Sequence, residues 1–211
     1  MIRMDHRVVQ GQDDPFDPGK IPELTGIITA DPHLTEILSW LPIYADSDLP
    51  ILLTGEPGTG KELVAMAIFA LGPARRRSSQ RLNCASLTES LASSELFGHV
   101  RGAYTGADQA RPGKFRLAHG KSLFLDEVGE LPLSIQPKLL RAVEQGEIEP
   151  VGGDAAIKVD VRLVAASNQD LLQLIAQGRF RQDLYDRLAV LAIHLPPLRE
   201  RPADIILLAG Y

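Results

Sequence analysis

The 211-residue sequence contains a single cysteine, Cys84, so it can form no internal disulfide and offers no thiolate cluster for zinc. Its five histidines, His6, His33, His99, His119 and His194, show no spacing suited to a shared metal. Aromatics make up only 5% of residues, and the apolar mass lies in Leu, Ile, Val and Ala, as in a layered α/β domain. The longest apolar stretch, Leu63 to Leu71, falls well short of the roughly 20 residues that cross a bilayer. The N-terminus, Met1-Ile-Arg-Met-Asp-His6, lacks the apolar core of a secretion signal, so the cytoplasm is the expected compartment and no membrane partner is expected. Basic residues are the minority, 22 against 27 acidic for a net charge of −5. That balance argues against a dedicated nucleic-acid surface, although a local basic patch remains open. What is present is 45% hydrophobic and 23% charged, a globular composition able to bury a core and sized for one domain with or without tails.

Residues 1 to about 22 carry Asp13-Asp14-Pro15, Asp17-Pro18-Gly19 and Pro22 without periodicity, and read as a linker or disordered tail. The remainder, residues 23–211, reads as one domain. Asp31-Pro32 opens a helical pattern through Leu34, Ile37, Leu38 and Leu41. A short apolar strand, Leu49 to Thr54, runs into a glycine loop and then a helix over Glu62 to Ala70. A second strand is expected near Arg81 to Cys84 and a helix over Ser86 to Phe97. A third strand, Ser122 to Leu125, ends at Asp126 and is followed by a helix from Ser134 to Glu144. Turn residues gather around Gly152-Gly153-Asp154, and Val161 to Ala166 makes a fourth buried strand. Continuous apolar strands alternating with helices predict a parallel sheet covered on both faces.

Gly55-Glu56-Pro57-Gly58-Thr59-Gly60-Lys61 matches the phosphate-binding loop pattern, with Glu62 where a Ser or Thr is usual. Glycines there let backbone N–H groups converge on phosphate oxygens, at the positive end of the following helix. Lys61 is suited to the β- and γ-phosphates as a compact cation. The bland alternative is an ordinary strand-to-helix turn. The missing hydroxyl at position 62 shifts the burden of holding Mg²⁺ to other groups. Asp126-Glu127, at the carboxyl end of an apolar strand, supplies them: Asp126 suits Mg²⁺, partly through water, and Glu127 suits the polarisation of an attacking water. Otherwise the pair caps the next helix. Asn168, in Ala165-Ala166-Ser167-Asn168, suits water orientation or γ-phosphate sensing, and Asn83 shares that ambiguity, since either Asn would also serve as a loop cap. Arg181 and Arg187 lie six residues apart, which on a helix points them about 120° apart, too divergent to grip one phosphate of their own subunit. Ion pairs to Asp183 or Asp186 are the plain reading.

No nucleotide chemistry needs Gly102-Ala103-Tyr104-Thr105-Gly106-Ala107. Its glycines interrupt what otherwise reads as a helix from Ser86 to Arg116 and suit a mobile tip with an exposed Tyr-Thr pair, a shape fitted to a partner contact.

At these residues the sequence resembles a family, the bacterial enhancer-binding proteins, AAA+ activators of sigma-54 RNA polymerase. The likeness runs from about Ile27 to Arg201. It rests most heavily on Glu95-Leu-Phe-Gly-His-Val-Arg-Gly-Ala-Tyr-Thr-Gly-Ala107, with Gly55 to Glu62 and Leu198-Arg-Glu-Arg201 in support. The resemblance implies a P-loop NTPase, AAA+ three-layer sandwich with a parallel sheet, a hexameric ring, ATP at subunit interfaces and loops that engage sigma-54 RNA polymerase holoenzyme. It implies that the Gly55–Glu62 loop and Asp126 bind MgATP and that Glu127 is the catalytic carboxylate. Asn83 takes the part of the residue that restrains that glutamate, Ser167-Asn168 that of a first sensor. Arg181 and Arg187 take the part of fingers offered in trans. Tyr104 and Thr105 become the sigma-54 contact, with the Gly152-Gly153 region as a second loop that moves with it. Tyr104 stands where Phe is usual, Ser167 where Thr is usual, and Thr29-Ala30 where Gly-Ser is common. The family's helical lid and its enhancer-binding helix-turn-helix are expected beyond Tyr211. Residues 23–211 are therefore expected to be an AAA+ domain cut before the lid, and a lidless fragment that binds without turnover is the alternative.

Overall fold

In a computed structural model, described for residues 26–210 apart from Ser86 and the side chain of Arg75, the chain is a three-layer α/β sandwich. The tail expected over residues 1–22 and the terminal Tyr211 lie outside the described residues. Along the chain come α1 (Pro32–Ser39), α2 (Leu41–Asp46), β1 (Ile51–Thr54), α3 (Lys61–Leu71), β2 (Ser79–Asn83), α4 (Glu89–Phe97), β3 (Gly98–His99) and β4 (Arg111–Pro112). They are followed by α5 (Lys114–Leu117), β5 (Lys121–Asp126), α6 (Gln136–Gln145), β6 (Glu147–Ile148), β7 (Ile157–Lys158) and β8 (Val161–Ser167). The last elements are α7 (Leu171–Ala176), α8 (Gln182–Leu188), β9 (Leu191–His194) and α9 (Pro202–Ala209).

Five parallel strands form the sheet in the order β2-β5-β8-β1-β9. The two-residue period of a strand explains how one apolar run fills two cores. Leu52, Leu123, Leu125, Leu163 and Ala165 enter the core shared with α4, α6 and α8. Ile51, Leu53, Phe124, Val164 and Ala166 point the other way, toward α1 and α3. Among the described residues no helix is long and apolar enough to cross a membrane.

The structure corrects the sequence reading in three places. A fifth strand, β9, completes the sheet beside β1; its apolar residues continue without a break from the end of α8 through Leu188-Ala189-Val190-Leu191-Ala192-Ile193, so no turn residue marks where the strand begins, and only Ile193 of its four residues is buried. Helix α4 begins at Glu89, not Ser86, with Thr88 at its N-cap. The same helix ends at Phe97, and the segment to Arg116 is an antiparallel β3–β4 pair followed by α5, not an interrupted helix. Elsewhere Asp31 caps α1 as its Asp-Pro start implies, its carboxylate accepting from Leu34 N at 2.8 Å.

Two buried groups hold the ends together. At the N-terminal edge of the sheet, Arg76 spans Asp48 at 3.0 Å and Asp160 at 2.8 Å. Near the opposite edge, the fully buried Asp204 of α9 accepts from Thr29 Oγ1, from Ala30 N at 2.6 Å and from Asp31 N at 3.1 Å, and pairs with Arg201 at 3.3 Å. It thereby ties the entry segment 27–31 to the C-terminal helix. Removing one partner of a buried, paired charge strands the rest without compensation. Asp204→Ala is therefore expected to destabilise the fold by about 3–5 kcal/mol, read as a lowered urea midpoint. A midpoint equal to the parent's would show that the knot is dispensable.

Candidate nucleotide site and partner loop

The carboxyl edge of the parallel sheet gathers the loops from β1, β5 and β8, where open α/β sheets hold their ligands. After Thr54 the backbone enters the loop Gly55–Gly60, and α3 starts at Lys61 with its first N–H groups pointing back into the loop. Gly58 and Gly60 have φ of 79° and 97°, and an added Cβ on either would meet no atom within 4 Å. The loop therefore turns bare backbone toward open space, as close approach by a phosphate requires. Thr59 Oγ1 donates to Glu56 O at 2.9 Å and closes the turn. Lys61 is buried, and its ammonium donates to Gly55 O at 2.8 Å and Glu56 O at 3.0 Å. The Glu56 carboxylate receives two bonds from Arg199, each 2.6 Å, and the hydrogen-bonded guanidinium holds it below the usual carboxylate range. Glu62 faces Arg81 at 2.5 Å.

Strands β2 and β5 run in register so that Asn83 lies opposite Asp126. The Asn83 amide donates to Asp126 Oδ2 at 3.0 Å, so in this arrangement it engages the aspartate and not Glu127. Asp126 Oδ1 accepts from Glu127 N at 3.1 Å. Glu127 has φ of 54°, the one left-handed non-glycine among the described residues, and its carboxylate accepts from Asn168 N at 3.0 Å. A strained backbone held by neighbouring strands is a common device for aiming a reactive side chain. Ser167 Oγ folds back onto Gln169, closing the end of β8. Next to the pair, burial and, to a lesser extent, the charges of Asp126 and Glu127 push the Cys84 thiol up to about 12.

Lys61, Asp126 and Glu127 line one cavity of about 390 Å³ with Pro57, Gly58 and Gly60. Cation, bare loop backbone and carboxylates thus face a single space, which fits a triphosphate with its metal. Among the described residues no group of three or more His, Cys, Asp or Glu is placed so that it could hold a metal ion by itself. A divalent ion here would draw on the Asp126 side and complete its shell with phosphate oxygens and water, the usual habit of Mg²⁺. Beside this space lies a smaller cavity of about 150 Å³, walled by Ile27, Ile28, Val64, Leu208 and Arg201 together with Gly58–Gly60. Its apolar walls come from both ends of the described chain, and periodicity alone gave no sign that they meet.

Arg181 is the N-cap of α8, with extended backbone (φ −85°, ψ 135°), so the angle expected from two helical positions does not apply. Its guanidinium grips Asp183 at 2.9 and 2.6 Å, while Arg187 pairs with Glu144 at 2.5 Å rather than with Asp183 or Asp186. Both arginines are exposed. The fully buried Gln136, which sequence reading passed over, accepts from Arg181 N at 2.9 Å and donates to Leu131 O and Arg179 O, each at 3.0 Å. It sets where the Arg181 segment leaves the core.

The Gly102–Ala107 tip sits on the β3–β4 pair and is closed by Gly102 N donating to Ala107 O at 2.8 Å. Tyr104 is 48% exposed, its ring 5.2 Å from that of the nearly buried His99. His99 is fixed by Ser94 Oγ at 2.8 Å and Gln109 O at 3.0 Å. The segment between β6 and β7 pairs with this base: Val100 N donates to Val151 O at 3.1 Å, and Val151 N to Gly98 O at 2.9 Å. A Cβ on Gly152 would come within 2.9 Å of Ala103 Cβ, so the two loops touch where only glycine fits.

The profile described as the Sigma-54 interaction domain matches residues 27–194. The anaerobic nitric oxide reductase transcription regulator NorR of Escherichia coli O6:H1 is 50% identical over 204 residues, 97% of this chain and 40% of that protein. NorR of Shigella flexneri gives the same identity and coverage. This chain thus spans about 40% of the length of these curated relatives. Among solved structures, NtrX from Brucella abortus in complex with ADP superposes with a TM-score of 0.80 at 34% identity, over 87% of this chain and 40% of that one. The P-loop NTPase domain of a sigma-54 transport activator from E. coli, at 20% identity and a TM-score of 0.53, covers 81% of this chain and 99% of its own, and supports the fold alone.

Proposed function

This chain belongs to the sigma-54 interaction domain family, and we propose that it binds and hydrolyses ATP with Mg²⁺ in a ring of six copies. Its exposed loop then engages sigma-54 RNA polymerase holoenzyme to drive promoter opening. Contact with enhancer DNA belongs to a separate domain. The observation that carries this reading is the joint presence of an open phosphate cradle facing two carboxylates and a half-exposed Tyr104 on a braced hairpin tip.

Mg²⁺, when bound, neutralises charge on the phosphates. Lys61 gives up its two loop carbonyls to hold the β- and γ-phosphate oxygens. Glu127, aimed by its left-handed backbone and by Asn168 N, accepts a proton from the attacking water. Arg181 and Arg187 serve a neighbouring copy, since each is exposed and needs only to exchange a surface carboxylate for a phosphate. The hydrogen bonds between the two loops pass a shift of one to the other.

Thr105 lies at the tip, outside both cavities that line the nucleotide site. Thr105→Ala is therefore expected to keep ATPase activity within about twofold while capture of sigma-54 in the presence of ADP and aluminium fluoride is lost, since a solvent-exposed tip contributes little to the fold. Capture at parent strength would remove this loop from the contact.

A further inference from the structure

We propose that Arg199 is a positioning residue for the phosphate loop, acting through Glu56 to set the arrangement from which Lys61 takes up a triphosphate; this rests on the nucleotide-binding reading above. Glu56 is an acidic residue inside a loop built to face phosphate, and a carboxylate there repels the ligand unless it is neutralised. Arg199 meets that need with a bidentate pair, 2.6 Å at each oxygen, the geometry that fixes direction as well as charge.

The carrier of Arg199 is itself anchored. It sits in the single helical turn Leu198–Glu200, directly before Arg201 and α9. Arg201 is nearly buried and pairs with the fully buried Asp204, which in turn holds the 29–31 segment. Arg199 therefore reaches the loop from a fixed post. On the other side, the carbonyl of Glu56 is the point where Lys61 Nζ at 3.0 Å and Thr59 Oγ1 at 2.9 Å converge. One residue thus carries an external anchor on its side chain and the resting place of the phosphate-binding ammonium on its backbone. Loss of Arg199 both frees the loop and leaves the Glu56 charge unneutralised on the loop that borders the nucleotide cavity.

Both side chains are largely exposed, so the pair contributes little to folding and the variants are expected to melt with the parent. Arg199→Ala is expected to raise the ATP KM about fivefold, the upper range for an exposed ion pair, with kcat within twofold. Placing Glu56→Gln in that background is expected to restore most of the loss, because the charge to be neutralised is gone. Arg199→Lys, which keeps charge without the fork, is expected to fall between. Three results would overturn the assignment: an unchanged KM in Arg199→Ala, a loss of equal size with Glu56→Gln present, or a loss confined to kcat. The second of these would mean that Arg199 touches the phosphates directly. A parent protein that binds no labelled ATP would instead overturn the functional reading, and this inference with it.

Discussion

Lys61→Ala is expected to abolish nucleotide binding, whereas Glu127→Gln is expected to keep binding and lose hydrolysis by about 10²- to 10⁴-fold. The separation follows from where each charge stands. Lys61 is a buried cation whose ammonium rests on two loop carbonyls at the mouth of the cavity. Alanine removes the only side-chain cation that lines that space among the described residues, and the glycine backbone alone has too little positive charge to hold a triphosphate against water. Glutamine at position 127 keeps the shape of the side chain and still offers an oxygen to Asn168 N, so the geometry survives. What it lacks is basicity, and that matters only when a proton must move. Binding of labelled ATP and steady-state phosphate release, measured on both variants, separate the two roles. Hydrolysis by Glu127→Gln at the parent rate would sink the role assigned to Glu127, and undiminished binding by Lys61→Ala would sink that of Lys61.

Arg181→Ala is expected to lower hydrolysis by about 10³- to 10⁵-fold, the range for an arginine that stabilises transition-state charge on a phosphoryl group. Here Arg181 is occupied by Asp183 and is exposed, at the N-cap of α8, with its backbone N–H held by the buried Gln136. None of the residues lining the cavity with Lys61 and Asp126 belongs to α8. On the function proposed above, a finger placed this way would serve a neighbour's nucleotide. The decisive measurement mixes two inactive variants, Arg181→Ala and Lys61→Ala. Some interfaces in the mixture combine an intact Lys61 site with an intact Arg181, and partial activity is expected to return. A mixture as inactive as its components, with assembly confirmed by sedimentation, would place Arg181 within its own subunit's chemistry or in its fold.

Features written in contiguous residues were legible before any fold was known. A phosphate loop is a strand, a glycine turn and a helix within one short stretch, and Leu123 to Glu127 likewise carries strand and carboxylates together. The uninterrupted apolar runs of β1, β5 and β8 announced a sheet covered on both faces, because each run has to satisfy two cores. The tip Gly102–Ala107 was visible as an anomaly, since its glycines fit no regular element there. Features that join residues distant in sequence emerge only when the chain is folded. Strand β9 has one buried residue and exists because β1 offers it a hydrogen-bonding edge. The tip is a braced hairpin because Val100 and Val151 pair across some 50 residues of intervening chain. Arg181 left the helix for its cap because Gln136, 45 residues away, takes its N–H. Glu56 and Arg199 stand 143 residues apart, and Thr29 and Asp204 stand 175 apart. Such pairs leave no periodic trace, because a charged residue that closes a site reads the same in one dimension as a charged residue on a solvated face.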